Sequence, residues 1–93
     1  MAHTRPDNLL DLTSLLTEIA ALPGVVQRKP GIFYYRGAGL LHFHDKDGVR
    51  WADVRGVGGW ERVDIPFGAK AAQKKQLLSA VRSRVALGPV PTA

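Results

Sequence analysis

Leu9, Leu12, Leu15, Leu16 and Ile19 form one stripe at helical spacing between about Asp7 and Leu22. This period-3.6 pattern predicts a helix with one buried face. Asp7 or Asn8 offers a short acceptor side chain to cap its start, and Pro23-Gly24 ends it. From Val25 the period changes to two. Val25 to Arg28 reads as a short edge strand closed by Lys29-Pro30, because proline denies a ladder hydrogen bond. Ile32 to Arg36 is aromatic and β-branched, and Gly37-Ala38-Gly39 turns it back. Leu40 to His44, Val49 to Arg55 and Trp60 to Ile65 follow as strands. Asp45-Lys46-Asp47-Gly48, between the first two, suits a type I turn closed by a glycine bulge. Gly56-Val57-Gly58-Gly59 is a loop. After Pro66-Phe67-Gly68, Leu77, Leu78, Val81 and Val85 mark the buried stripe of a second helix, which Gly88-Pro89 ends.

Helix, a meander of four to five strands, helix: consecutive hairpin turns imply an antiparallel sheet, and two amphipathic helices suffice to cover one of its faces. The expectation is a two-layer α+β sandwich with the N- and C-terminal helices on one face. A length of 93 residues, with 45% apolar and 23% charged content, predicts a single domain over 1–93. Its core runs over about 7–87, and 88–93 form a flexible tail. A chain of this size sustains one two-layer core. The absence of cysteine rules out a disulfide staple and a thiolate nucleophile or ligand. No apolar run approaches the roughly 18 residues of a membrane span, and the N-terminal stretch carries Asp11 and Glu18 where a secretory signal would be apolar. A soluble, cytoplasmic protein with no bound cofactor is expected.

Register decides which side chains share a face, since a slip of one residue flips all of them. With Gly37-Ala38 as a two-residue loop, Tyr35 stands opposite Leu40 and Phe33 opposite His42. The Asp45 turn sets His44 opposite Val49, His42 opposite Trp51 and Leu40 opposite Asp53. The glycine loop sets Asp53 opposite Arg62 and Trp51 opposite Asp64. One face then gathers Ile32, Tyr34, Leu41, Phe43, Ala52, Val54, Val63 and Ile65 beneath the helices. The other carries Phe33, Tyr35, His42, His44, Trp51, Asp53, Arg55, Trp60, Arg62 and Asp64, with nothing left in the chain to cover it. An open aromatic face of more than a few hundred Å² generally meets something.

Four kinds of chemistry suit that face. Its aromatics can stack across a two-fold axis with Asp53–Arg62 pairs at the rim, giving a homodimer or a protein-partner surface anchored on Trp51 and Trp60. His42 and His44 at the edge would then weaken association below about pH 6. His42, His44 and Asp53 are ligand types for zinc or non-haem iron. His42 with Asp53 or Asp64 makes a histidine–carboxylate pair for acid–base work. No activated nucleophile accompanies that pair, since Ser14, Ser79 and Ser83 all fall on helices, and no glycine-rich phosphate loop precedes a helix. Finally, Phe33, Tyr35, Trp51 and Trp60 could stack bases while Arg55 and Arg62 meet phosphates. The net charge of +5 bears on this last option. Lys70, Lys74, Lys75, Arg82 and Arg84 lie on the second helix, with no acid from Gly68 to Leu87, and a basic helix attracts nucleic acid or an acidic partner.

Leu22-Pro23-Gly24-Val25, Pro30-Gly31-Ile32-Phe33, Leu41-His42-Phe43-His44 and Gly59-Trp60 before a final helix resemble the small bacterial proteins of the luciferase-domain group, over about Leu15 to Leu87. A looser similarity is to the YjbR-like bacterial domains. Both resemblances imply a small α+β domain without an assigned activity. The residues favour a binding or self-association module on Phe33, Tyr35, His42, His44, Trp51, Trp60 and Arg62. A metal- or ligand-dependent enzyme centred on His42, His44 and Asp53 is the alternative, and nucleic-acid binding the third.

Overall fold

The computed structural model describes residues 4–56 and 58–88; all of the tail expected over 88–93 except Gly88 lies outside them. The N-terminal leucine stripe is wound in two ways, as a 3-10 helix over Pro6–Leu12 and as α1 over Thr13–Ala20. Neither Asp7 nor Asn8 caps the first turn; Pro6 occupies it instead, where a missing N–H costs nothing. Two carbonyls of the tighter segment are claimed by side chains: Asn8 by Arg50 and Leu10 by the Thr13 hydroxyl. Leu9, Leu12, Leu15 and Ile19 are buried, as the stripe requires.

Strands β1 (Val25–Lys29), β2 (Ile32–Tyr35), β3 (Ala38–Lys46), β4 (Val49–Arg55) and β5 (Trp60–Asp64) pair in chain order as an antiparallel meander. Helix α2 (Ala71–Ala86) follows, and Gln73 Oε1 accepts the Lys70 N–H at its start. Leu77, Leu78 and Val81 of α2 share one core with Leu9 to Ile19, Phe33, Leu41, Phe43, Ala52, Val54 and Ile65. Both helical segments therefore cover the same sheet face, and the fold is the expected α+β sandwich. At Gly31, between β1 and β2, φ is +77° and a Cβ would stand 2.5 Å from Leu9 Cδ1, so the turn leaves room for the N-terminal segment to dock.

One hairpin is tighter than expected, and another keeps its two-residue loop but places it one residue earlier. The β3–β4 loop is Asp47-Gly48 alone, with φ of 53° and 81°, the positive pair that a type I′ turn requires. His42 consequently faces Asp53 and His44 faces Trp51, instead of Trp51 and Val49. The shift is two residues, so the faces survive.

The β2–β3 loop is Arg36-Gly37, again with both φ positive (50° and 84°). A bulge between Phe33 and Tyr34 then places Phe33 opposite Leu41 and Ile32 opposite His42. The turn and the bulge together move Phe33 and Tyr35 off the outer face and into the core, at 0% and 5% exposure. Ile32 and Tyr34, expected beneath the helices, lie half-buried on the outer face. The same bulge buries Leu40 and Leu41 together.

The largest fully buried side chain is an arginine. Arg50 is 1% exposed, and each of its N–H groups meets an acceptor. Nε donates to the Ile65 carbonyl at 2.7 Å. One terminal nitrogen donates to the Asn8 carbonyl and Asp11 Oδ1, both at 2.7 Å. The other donates to Asp11 Oδ2 and the Pro66 carbonyl, both at 2.8 Å. The Phe67 ring stacks 4.6 Å from the guanidinium. Asp11 Oδ2 also accepts the Gly68 N–H at 3.2 Å. The Arg50 hydrogen bonds hold the Asp11 carboxyl down from its ordinary 3.8 to about 2, against the desolvation that opposes them.

Asp11→Asn is expected to lower stability by roughly 1–3 kcal/mol at pH 7, since it leaves a buried guanidinium short of its counter-ion. A carboxyl whose pKa is depressed by folding stabilises above its unfolded value and loses that contribution as pH falls through its folded one. The gap between wild type and variant should therefore hold above about pH 4 and close as pH falls toward 2, as read by urea unfolding at each pH. The register makes a second forecast. Phe33→Ala should cost about 3–5 kcal/mol, as core aromatics do, and Tyr34→Ala less than about 1.5 kcal/mol; equal losses in thermal unfolding would contradict the bulge.

Candidate functional site on the uncovered sheet face

Alternation along β3 and β4 delivers His42, His44, Trp51, Asp53 and Arg55 to the face that neither helix covers. β5 adds Trp60, Arg62 and Asp64. His42, Asp53 and Arg62 lie in one row across the three strands, with His44, Trp51 and Asp64 in the next. The rings form a continuous ladder. Trp60 meets His42 edge-on at 4.5 Å between centroids, His42 meets His44 at 4.6 Å, and His44 lies tilted on Trp51 at 5.5 Å. Trp60 reaches across β4 to do this: its Cη2 lies 3.3 Å from where a Cβ on Gly39 would sit. A side chain at position 39 would push the indole away.

His44 is only 6% exposed although it lies on the uncovered face. Its Nε2 stands 3.1 Å from Asp53 Oδ2. His42, His44 and Asp53 each present a ligand atom, and all three atoms lie within 4.8 Å of one another. Metal bonds of about 2.0–2.2 Å need donors about 3.0–3.5 Å apart. Side-chain rotation would be needed to close the set around one ion. Two imidazoles and a carboxylate suit zinc and other late divalent metals, and three protein ligands leave coordination positions open to solvent.

Arginines line the same face, each against an aromatic ring. Arg28 lies 4.6 Å from the centroid of Tyr34, Arg55 5.4 Å from Trp60, and Arg62 4.4 Å from Trp51. Such pairs hold a guanidinium in place without neutralising it. Arg62 also donates to Asp64 Oδ1 at 2.9 Å, so the Asp53–Arg62 pair expected at the rim is replaced by Asp64–Arg62 and His44–Asp53.

Of the residues singled out from sequence, His42, His44, Trp51, Asp53, Trp60 and Arg62 converge, while Phe33 and Tyr35 do not. Asp53 stands opposite His42, closer to both histidines than the expected register allowed. Tyr34 and Arg28 went unrecognised because the bulge that turns Tyr34 outward leaves no mark in the alternation. The nucleic-acid expectation loses two of its four stacking rings. Arg84 of the basic helix is 5% exposed and donates to the Gly88 carbonyl, so it does not contribute to an open basic face. Ser14 lies on α1 and Ser79 and Ser83 on α2, in the other layer.

Among the described residues no helix is long and apolar enough to cross a membrane. The chain matches no family model, no curated protein and no solved structure.

Proposed function

We propose that this protein binds a divalent transition-metal ion on its uncovered sheet face, through His42, His44 and Asp53. The observation that carries the reading is the convergence of three ligand atoms within 4.8 Å, from two adjacent strands of one rigid sheet. β-strands are good ligand carriers, because the pleat sets side-chain spacing before any metal arrives. The Trp60 ring flanks His42 and the Trp51 ring flanks His44. Zinc is the first ion to test, since the donor set contains imidazole and carboxylate and no thiolate.

Zinc titrated into the purified protein by isothermal calorimetry should bind at one ion per chain. His42→Ala, His44→Ala and Asp53→Ala should each weaken binding by more than the about 10–100-fold that loss of an outer partner costs. Saturable binding that survives all three substitutions, or no binding at all, rejects the reading.

Association of two copies through the same face is the second reading, favoured by Trp60, which is 44% exposed although it stacks on His42. Burial of Phe33 and Tyr35 leaves Tyr34, Trp51 and Trp60 as its aromatic area. Light scattering at about 0.1–1 mM should then show a dimer that Trp60→Ala dissociates, because anchor aromatics lose about 2 kcal/mol or more on truncation. A monomer throughout that range overturns it.

A further inference from the structure

Three features surround the His42–His44–Asp53 cluster without belonging to it. Arg55 neighbours Asp53 on the same face of β4, and Arg62 stands directly opposite Asp53 on β5. Each guanidinium is held against a tryptophan, Arg55 on Trp60 and Arg62 on Trp51. The one further carboxylate on this face of β4 and β5, Asp64, is engaged by Arg62.

We infer that the ligand completing the metal's coordination on this face is an oxyanion carried on a flat apolar body, an aryl phosphate or aryl carboxylate, with Arg55 and Arg62 receiving its negative charge. The inference rests on the metal reading above and extends it to the class of ligand.

The electrostatic argument is direct. A divalent ion ligated by one carboxylate and two neutral imidazoles keeps a positive charge, and Arg55 adds to it, while the charge of Arg62 is shared with Asp64. A neutral or cationic ligand gains nothing from that field, whereas an anion is drawn to it and can bridge metal and guanidinium. The shape argument is separate. Trp60 stands 4.5 Å from His42 and Trp51 5.5 Å from His44 between ring centroids, so indoles stand at both ends of the histidine pair. Flat rings pack well against indole faces and edges. Arg55 and Arg62 rest on those rings; Arg55 need only swing from its ring to close on an incoming anion, and Arg62 must also exchange Asp64 for it.

The test uses the full chain loaded with cobalt(II), whose visible absorption reports changes in its ligands, with tryptophan fluorescence as a second readout. The probes are phenyl phosphate, benzoate and, as the neutral control, phenol. Phenyl phosphate or benzoate should alter the cobalt spectrum, quench tryptophan emission, and bind at least about tenfold more tightly than phenol. Arg55→Gln with Arg62→Gln should abolish that preference while cobalt affinity stays within about threefold, because neither side chain is a ligand. Normal cobalt binding with no preference for the anions overturns the inference and leaves the metal reading standing. Failure to bind cobalt at all removes both. Equal anion binding with and without cobalt also overturns it, since the arginines and tryptophans would then suffice. A spectral response to phenyl phosphate but not benzoate assigns the site to phosphate esters, and the reverse to carboxylates.

Discussion

The Arg50 guanidinium ties together three parts of the chain that lie far apart in sequence. It sits at the end of β4, beyond the apolar core. It binds Asn8 and Asp11 of the N-terminal segment on one side and the Ile65 and Pro66 carbonyls leading to α2 on the other. A buried charge is tolerated only when it is paired and its donors are met. Here every donor is met, and three acceptors are backbone carbonyls, of which those of Ile65 and Pro66 lie outside any helix or strand. The cost of desolvating the charge is thus offset where irregular backbone also needs partners. The arginine's fork ties the N-terminal helical segment and the approach to α2 to one strand, β4, and both helices pack on the same core.

That placement determines what the other face becomes. A two-layer domain of this size has one core, and once both helices are committed to it no helix or strand among the described residues covers the second sheet face. It then carries side chains that tolerate partial exposure: histidines, indoles, arginines and carboxylates. Their clustering follows from strand geometry, since neighbours two apart on one strand and directly opposite on the next stand close enough to share a ligand. The metal-ligand set and the arginine–tryptophan pairs are thus two consequences of one pleated surface left without a second layer.

How far the site could be read in advance turns on the two hairpins. Asp47-Gly48 and Arg36-Gly37 are both two-residue turns with positive φ. Asp-Gly advertises such a turn and Arg-Gly does not, because an arginine seldom adopts a left-handed backbone. Misjudging the first turn shifted the register by an even number, so His42, His44, Trp51 and Asp53 stayed on one face. The second turn displaces Tyr34 and Tyr35 by two residues, and the bulge leaves Ile32 and Phe33 displaced by one, so Phe33 and Tyr35 are exchanged for Ile32 and Tyr34. Arg50 was legible in part. It has the parity of Ala52 and Val54, and an arginine among core positions demands a carboxylate; which one is a question of long-range contact.

Period and parity, readable along the chain, determined the helix–meander–helix order, the leucine stripes and the shared face of β3, β4 and β5, because local geometry sets side-chain direction in helices and strands. Only the tertiary structure decided the bulge in the β2–β3 pair, the choice of Asp11 as the partner of Arg50, and the approach of Trp60 over Gly39 to His42. Each depends on atoms far apart in sequence competing for one volume, and no local pattern records which of them wins.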